Sequence, residues 1–207
     1  MSGVLELLES MPAGISVEGI IAGEGRATVS SENYIRLNEY ANSQGVPVYL
    51  MKAGDVIEDN RLRLECLWPG ACADEIDTSD LNESSLVISA EYTTDNGKSV
   101  NALLTGDIDV AVEKSLLNNA IGDYNYLQVP HHGSKSAAMN EFFERIAPEV
   151  LLISAGMNNR YGHPHKETMD IIEGHPGMNS FITYEKGEID YIVKGNSARV
   201  VIYMRNS

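Results

Sequence analysis

Apolar positions along this chain change their rhythm about half-way. Val4, Leu5, Leu7, Leu8 and Met11 recur at helical spacing with Glu6 and Glu9 on the other face, which predicts a short amphipathic helix over 4–11. Residues 19–22 read as a short buried strand. Ser30 or Ser31 can cap a helix through Tyr34, Leu37 and Tyr40 to about Ser43. Strand patterns then take over at 46–51, at 55–58 and in the alternation Leu62, Leu64, Cys66, Trp68. Residues 70–82 are acidic and turn-rich, so they read as a loop. Strands at 85–92 and 100–105 flank Thr94-Asp95-Asn96-Gly97, where Asn-Gly is a strong hairpin signal.

Beyond residue 106, helices and strands alternate. Helices are expected at 110–117, 139–146 and 167–173, and strands at 126–129 and 150–154. Strands at 180–184, 189–193 and 199–204 close the chain, with a Lys186-Gly187 turn between the first two. No repeat, low-complexity tract or linker interrupts this order. The expectation is one domain over 1–207, of α/β class, with two sheets sandwiched between helices.

Three apolar stretches end abruptly in polar chemistry: Leu103-Leu104-Thr105-Gly106-Asp107, Val129-Pro130-His131-His132-Gly133-Ser134 and Tyr161-Gly162-His163-Pro164-His165. A strand that ends in a carboxylate or an imidazole delivers it to a sheet edge, where ligands collect. Carboxylate with imidazole suits Zn²⁺ or Mn²⁺. Asp107 can ligate or orient a metal-bound water, or it can simply cap the next helix. Adjacent histidines between Pro130 and Gly133 are poor core material, because both rings would need buried partners. On an extended segment their side chains point opposite ways, so one is the expected ligand and the other supports it or contacts substrate. His163, in a loop stiffened by Pro164, fits a general acid or a phosphate contact. His165 reads as a solvent-facing residue at the start of the next helix, and Asn82, Ser84 and Ser85 as a turn.

Composition narrows the function. A formal charge of −15 argues against binding nucleic acid through a broad basic footprint. It leaves a nuclease open, since a metal supplies local positive charge. Lys135, Arg160 and Lys166 lie near the histidine loops, either as a basic rim or as scattered surface charges. Cys66 and Cys72 fit neither a CxxC motif nor a zinc ribbon, so reduced, buried thiols are expected. His175 belongs to a Gly-His-Pro-Gly loop. No apolar run approaches the ~20 residues that span a bilayer, and Met1 to Glu6 lack signal-peptide features, so the chain reads as soluble.

The ordered motifs Leu81-Asn82-Glu83-Ser84-Ser85-Leu86-Val87, Leu104-Thr105-Gly106-Asp107, Val129-Pro130-His131-His132-Gly133-Ser134 and Asn159-Arg160-Tyr161-Gly162-His163-Pro164 resemble the metallo-β-lactamase-fold hydrolases. Within them, the resemblance is to the C-terminal domain of ComEC-type DNA-internalisation competence proteins. It implies an αββα sandwich, a dinuclear Zn or Mn centre, Asp107 as one metal ligand, His131 or His132 as another, and His163 lining the active site. That family's HxDxDH motif runs into a segment similar to Ser2-Gly3-Val4-Leu5-Glu6-Leu7-Leu8-Glu9. The domain is therefore expected to be N-terminally truncated, to bind metal weakly and to expose the strand at 19–22.

The resulting expectation is a phosphodiesterase or nuclease associated with DNA uptake, acting on single-stranded DNA, with its activity impaired by the missing ligand motif. His163, His132 and Arg160 would be its catalytic residues, with His163 or Arg160 stabilising the developing charge. Its parent would be a membrane DNA channel, with this domain cytoplasmic or attached at the cytoplasmic membrane. Two alternatives stand beside it: a small phosphodiester or thioester hydrolase of the same fold, and a non-catalytic structural or interaction remnant.

Overall fold

The computed structural model describes residues 2–12, 14–70, 81–119 and 121–203. Most of the expected 70–82 loop, together with Cys72 and Met204, lies outside them. The chain begins with helix α1 (Ser2–Glu9), strand β1 (Ile20–Gly23) and helices α2 (Arg26–Ser30) and α3 (Glu32–Ser43). Strands β2 (Val48–Met51), β3 (Val56–Asp59), β4 (Leu62–Trp68), β5 (Val87–Thr93) and β6 (Ser99–Leu104) come next. The second half runs α4 (Val110–Asn118), β7 (Tyr126–Gln128), α5 (Asn140–Ile146), β8 (Val150–Ile153), α6 (Lys166–Glu173) and β9 (Asn179–Ile182). It ends with α7 (Thr183–Lys186), β10 (Glu188–Lys194) and β11 (Ser197–Tyr203).

Among the described residues there are three sheets rather than the expected pair. A seven-stranded sheet has the order β3-β4-β5-β6-β7-β8-β9, and β1-β2 and β10-β11 form two-stranded sheets. The large sheet is antiparallel from β3 to β6 and parallel from β6 to β9. This split matches the change of rhythm in the sequence. Hairpin connections make antiparallel neighbours, whereas parallel neighbours need a crossover, here through α4, α5 and α6. β1 pairs along its length with β2 in parallel register.

β7 and β8 bury alternate side chains within the main core. Leu103, Leu127, Leu151 and Ile153 are fully buried and pack with Val112 and Leu116 of α4 and with Phe142, Phe143 and Ile146 of α5. A smaller core joins Leu5, Ile20, Leu37 and Ala41 beneath α1 and α3. Ser31, not Ser30, caps α3: its hydroxyl accepts the Tyr34 N–H at 3.1 Å. The Asn-Gly hairpin forms as expected, with Thr94 N–H bonded to Lys98 O at 2.8 Å. The strand expected over 180–184 stops at Ile182. There Thr183 turns aside to bond the Ala155 backbone, and a short helix begins. Cys66 is buried as a free thiol, and burial pushes it up to about 11.

Glu113 of α4 is a carboxyl inside this core, 0% exposed. One oxygen accepts the Met139 N–H at 3.1 Å and the other has no partner. Burial pushes its pKa up to about 8, and the Asp109 carboxylate pushes the same way against the Met139 N–H. An unfolded Glu titrates near ~4.3, so the folded chain holds this proton the more tightly. Its contribution to stability is present below ~4.3 and is lost as pH rises through about 8. Glu113→Gln should therefore be close to neutral at pH 5 and stabilise by about 2–4 kcal/mol at pH 9. Thermal unfolding of both proteins at the two pH values measures the difference.

Candidate functional site

Parallel register brings four chain segments to one edge of the large sheet. Leu103 pairs with Leu127, Leu127 with Leu151 and Leu151 with Ser180, so β6, β7, β8 and β9 end side by side. Asp107, the two adjacent histidines, Ser154 and Thr183 all lie just beyond those ends. β5 runs the other way, so the residues just before it reach the same edge. Ligand-binding crevices in α/β sheets form outside the carboxyl ends of parallel strands.

Asp107 is held by its backbone, and its carboxylate is turned towards the histidine turn. Thr105, fully buried, donates its hydroxyl to Gln128 O at 2.8 Å. Gly106 then adopts φ +58°, and a Cβ there would lie 3.1 Å from the Ser85 Cβ. The Asp107 N–H bonds the Ser85 hydroxyl at 3.1 Å. Asp109, not Asp107, caps α4, accepting from Ala111 N–H at 2.9 Å and Val112 N–H at 3.4 Å. The capping alternative for Asp107 is thereby removed. Asp107 also borders a cavity of about 410 Å³ between β1, α3 and residues 81–86.

The histidine pair corrects the extended geometry expected from sequence. His131 and His132 have φ/ψ of 46°/44° and 56°/22°, and Gly133 continues at φ +80°. Left-handed backbone at two non-glycine residues costs of order 1–3 kcal/mol each and persists only where the surroundings over-determine it. They do so here. The His131 N–H bonds Gly106 O at 3.1 Å, and Ser134 N–H bonds His131 O at 2.9 Å. Gly133 O accepts both the His165 N–H at 2.9 Å and the Thr168 hydroxyl at 2.9 Å. A Cβ on Gly133 would come within 2.7 Å of the Pro164 Cβ. The turn therefore presents both rings to one site instead of opposing them.

The His132 Nδ1 lies 2.8 Å from Ser154 O, which accepts and so places the ring proton on Nδ1. That leaves the lone pair of Nε2 facing the Asp107 carboxylate 3.4 Å away. Two electron-rich atoms so opposed call for a cation or a proton between them, and a ligating imidazole commonly anchors its other N–H on a carbonyl in this way. The Nδ1 of His131 is buried without a partner.

His163 is the hub of the rings. Its centroid lies 5.7 Å from His131, 6.3 Å from His132, 4.8 Å from His165 and 5.6 Å from Tyr161. Desolvation, and after it the neighbouring imidazoles of His165, His131 and His132, lower its pKa below the usual histidine value. Asn159, the first residue of the Asn-Arg-Tyr-Gly-His-Pro motif, fixes this loop. Its amide donates to His163 O at 2.6 Å and Gly156 O at 3.0 Å, and its oxygen accepts the His163 N–H at 2.9 Å. His165 does stand at the start of α6; it is half-buried, and its Nδ1 accepts the Lys135 N–H at 3.1 Å. Arg160 is exposed and stacks over the Tyr161 ring, while Lys166 pairs with Asp170 at 2.6 Å. His175 stands outside the cluster, bonded to Ile171 O at 2.7 Å.

As a metal site this constellation is only part-built. Asp107 and His132 fit two positions, but among the described residues no group of three or more His, Cys, Asp or Glu is placed to hold an ion.

The chain is 32% identical to ComE operon protein 3 of Bacillus subtilis (strain 168) over 178 residues, which is 84% of this chain and 21% of that protein. This chain is related to ComE operon protein 3. It spans about a fifth of that relative's length. A second similarity, 36% over 76 residues, is to Recombination protein 2 of Haemophilus influenzae, covering 37% of this chain and 9% of that one. A solved Parabacteroides distasonis protein, assigned as a metal-dependent hydrolase, aligns with 80% of this chain and 64% of its own, at 14% identity and a TM-score of 0.45. That likeness is too slight to support a fold assignment. No family model matches the chain.

Gly133→Ala should break the contact between the two histidine loops, through both its positive φ and the approach of Pro164. A loss of about 1–3 kcal/mol in chemical denaturation is expected. The His163 ring should then titrate closer to the ordinary histidine value in NMR spectra, because its neighbours separate.

Proposed function

We propose that this chain is a domain of a metal-dependent phosphodiesterase with the αββα architecture of the metallo-β-lactamase fold, working on single-stranded DNA in a ComE operon protein 3-like parent. The observation that supports this most directly is the opposed pair of His132 Nε2 and Asp107 Oδ1, 3.4 Å apart with the ring proton anchored on Ser154 O. Asp107 and His132 would hold a divalent ion, Zn²⁺ or Mn²⁺, and His131 brings a buried, unpartnered nitrogen to the same turn. Such an ion would supply Lewis-acid charge to a phosphate oxygen.

The rest of the chemistry rests on this chain's own side chains. Desolvation and the neighbouring imidazoles lower the His163 pKa and so favour its neutral ring, which can take up a proton or donate one hydrogen bond to a phosphate oxygen. Arg160 carries a permanent charge that suits a phosphate and stands beside it in the loop. A second reading, a non-catalytic remnant, is favoured by one observation: the described residues hold no three-donor group. A small phosphodiester substrate differs only in what is cleaved.

Titration calorimetry separates these readings. One weak Zn²⁺ or Mn²⁺ site per chain is expected, abolished by Asp107→Asn and by His132→Ala, with slow cleavage of single-stranded DNA in Mn²⁺. A site with two donors lacks the geometry that lowers the pKa of bound water towards ~7. Binding that survives both substitutions would overturn the ligand assignment. Cleavage of bis-(p-nitrophenyl) phosphate without cleavage of DNA would select the small substrate.

A further inference from the structure

Tyr161 is the residue at this edge that neither the core nor the ligand pair uses. Its ring is 59% exposed, although a tyrosine of this size ordinarily buries most of its area. It is nevertheless ordered by its neighbours. The His163 ring lies nearly parallel to it, at 20° and 5.6 Å between centroids. The Arg160 guanidinium sits over it at 4.7 Å and donates a hydrogen bond to its hydroxyl. Asn159 clamps the loop from which all three project.

The result is a stack that begins at His132 beside Asp107, passes through His163, which lies 22° from parallel to His132, and ends in solvent at Tyr161 and Arg160. Exposed Tyr and Arg planes held in this way are what single-stranded nucleic acid binds by, because every base offers a π-face. Stacking also answers the difficulty posed by a chain of charge −15. Stacking on bases adds to what backbone contacts supply, and so counts for more in a chain that lacks a broad basic footprint.

We infer that Tyr161, with Arg160, is a base-stacking platform that positions a nucleotide of single-stranded nucleic acid next to the Asp107–His132 pair. This rests on the phosphodiesterase reading above and names the part of the substrate that the site grips. Tyr161 is a positioning residue: its exposed ring, together with the Arg160 plane it carries, meets a base and not the phosphate under attack. Its hydroxyl is dispensable and its ring is not.

Fluorescence anisotropy at low salt, with labelled oligo-dT and an abasic oligomer of the same length and charge, tests this. The intact chain should prefer oligo-dT. Tyr161→Ala should weaken oligo-dT binding by about tenfold and leave the abasic oligomer unchanged, whereas Tyr161→Phe should keep the preference. Equal binding of the two oligomers by the intact chain, no binding of either, or an alanine variant that binds oligo-dT normally would each overturn the platform. The metal titration decides the underlying reading separately. If Asp107→Asn still abolishes the metal site while Tyr161→Ala changes nothing, the platform fails and the phosphodiesterase reading stands. Circular dichroism of the alanine variant should match that of the parent, since the ring lies outside the core.

Discussion

The carbonyl oxygen of Gly133 holds the candidate site together. It accepts from the His165 backbone and the Thr168 hydroxyl, and so ties the turn after β7 to the helix after β8. Without that tie, two left-handed histidines would have little reason to keep a backbone that costs free energy. With it, the rings of His131, His132, His163 and His165 are forced into one cluster. Thr168 is fully buried, so the bond is shielded from water and worth more than a surface one. Any side chain at position 133 would remove the space that Pro164 fills.

The sheet supplies the other half of the constraint. Because β6, β7 and β8 are parallel and in register, their ends come level, and the loops leaving them lie within a side chain's reach of one another. The antiparallel β5 adds Ser85 from the opposite direction, which anchors the Asp107 backbone. A mixed sheet thus gathers short polar sequences that lie far apart along the chain. The cost of gathering like-charged or neutral imidazoles is visible in His163, whose pKa is lowered by desolvation and by its neighbours.

Glu113 shows that burial above all sets chemistry away from the edge. Its carboxyl sits in the core, and burial, with the Asp109 carboxylate, pushes its pKa up to about 8. Nothing in the motif order pointed to it, since a Glu on a helix ordinarily faces water.

Much of the fold was legible in the residues. Helical spacing, the Asn-Gly turn and the switch from hairpins to strand–helix alternation mark most elements to within a residue or two, the short helices α2 and α7 excepted, because local periodicity and turn chemistry are encoded locally. Asp107, the histidine pair and His163 were legible as polar ends of apolar runs. Tertiary structure decided the rest. Whether Asp107 or Asp109 caps α4 depends on Ser85 holding the Asp107 backbone from another strand. Whether His131 and His132 diverge or converge depends on hydrogen bonds from Gly106, Ser154 and His165, residues 22 or more positions away. The Ser154 contribution is a backbone carbonyl, which leaves no trace in residue identity. Tyr161 became distinct from any other surface tyrosine only once the His163 ring lay against it. Sequence determines which groups are available; only packing over long separations determines which of them face each other.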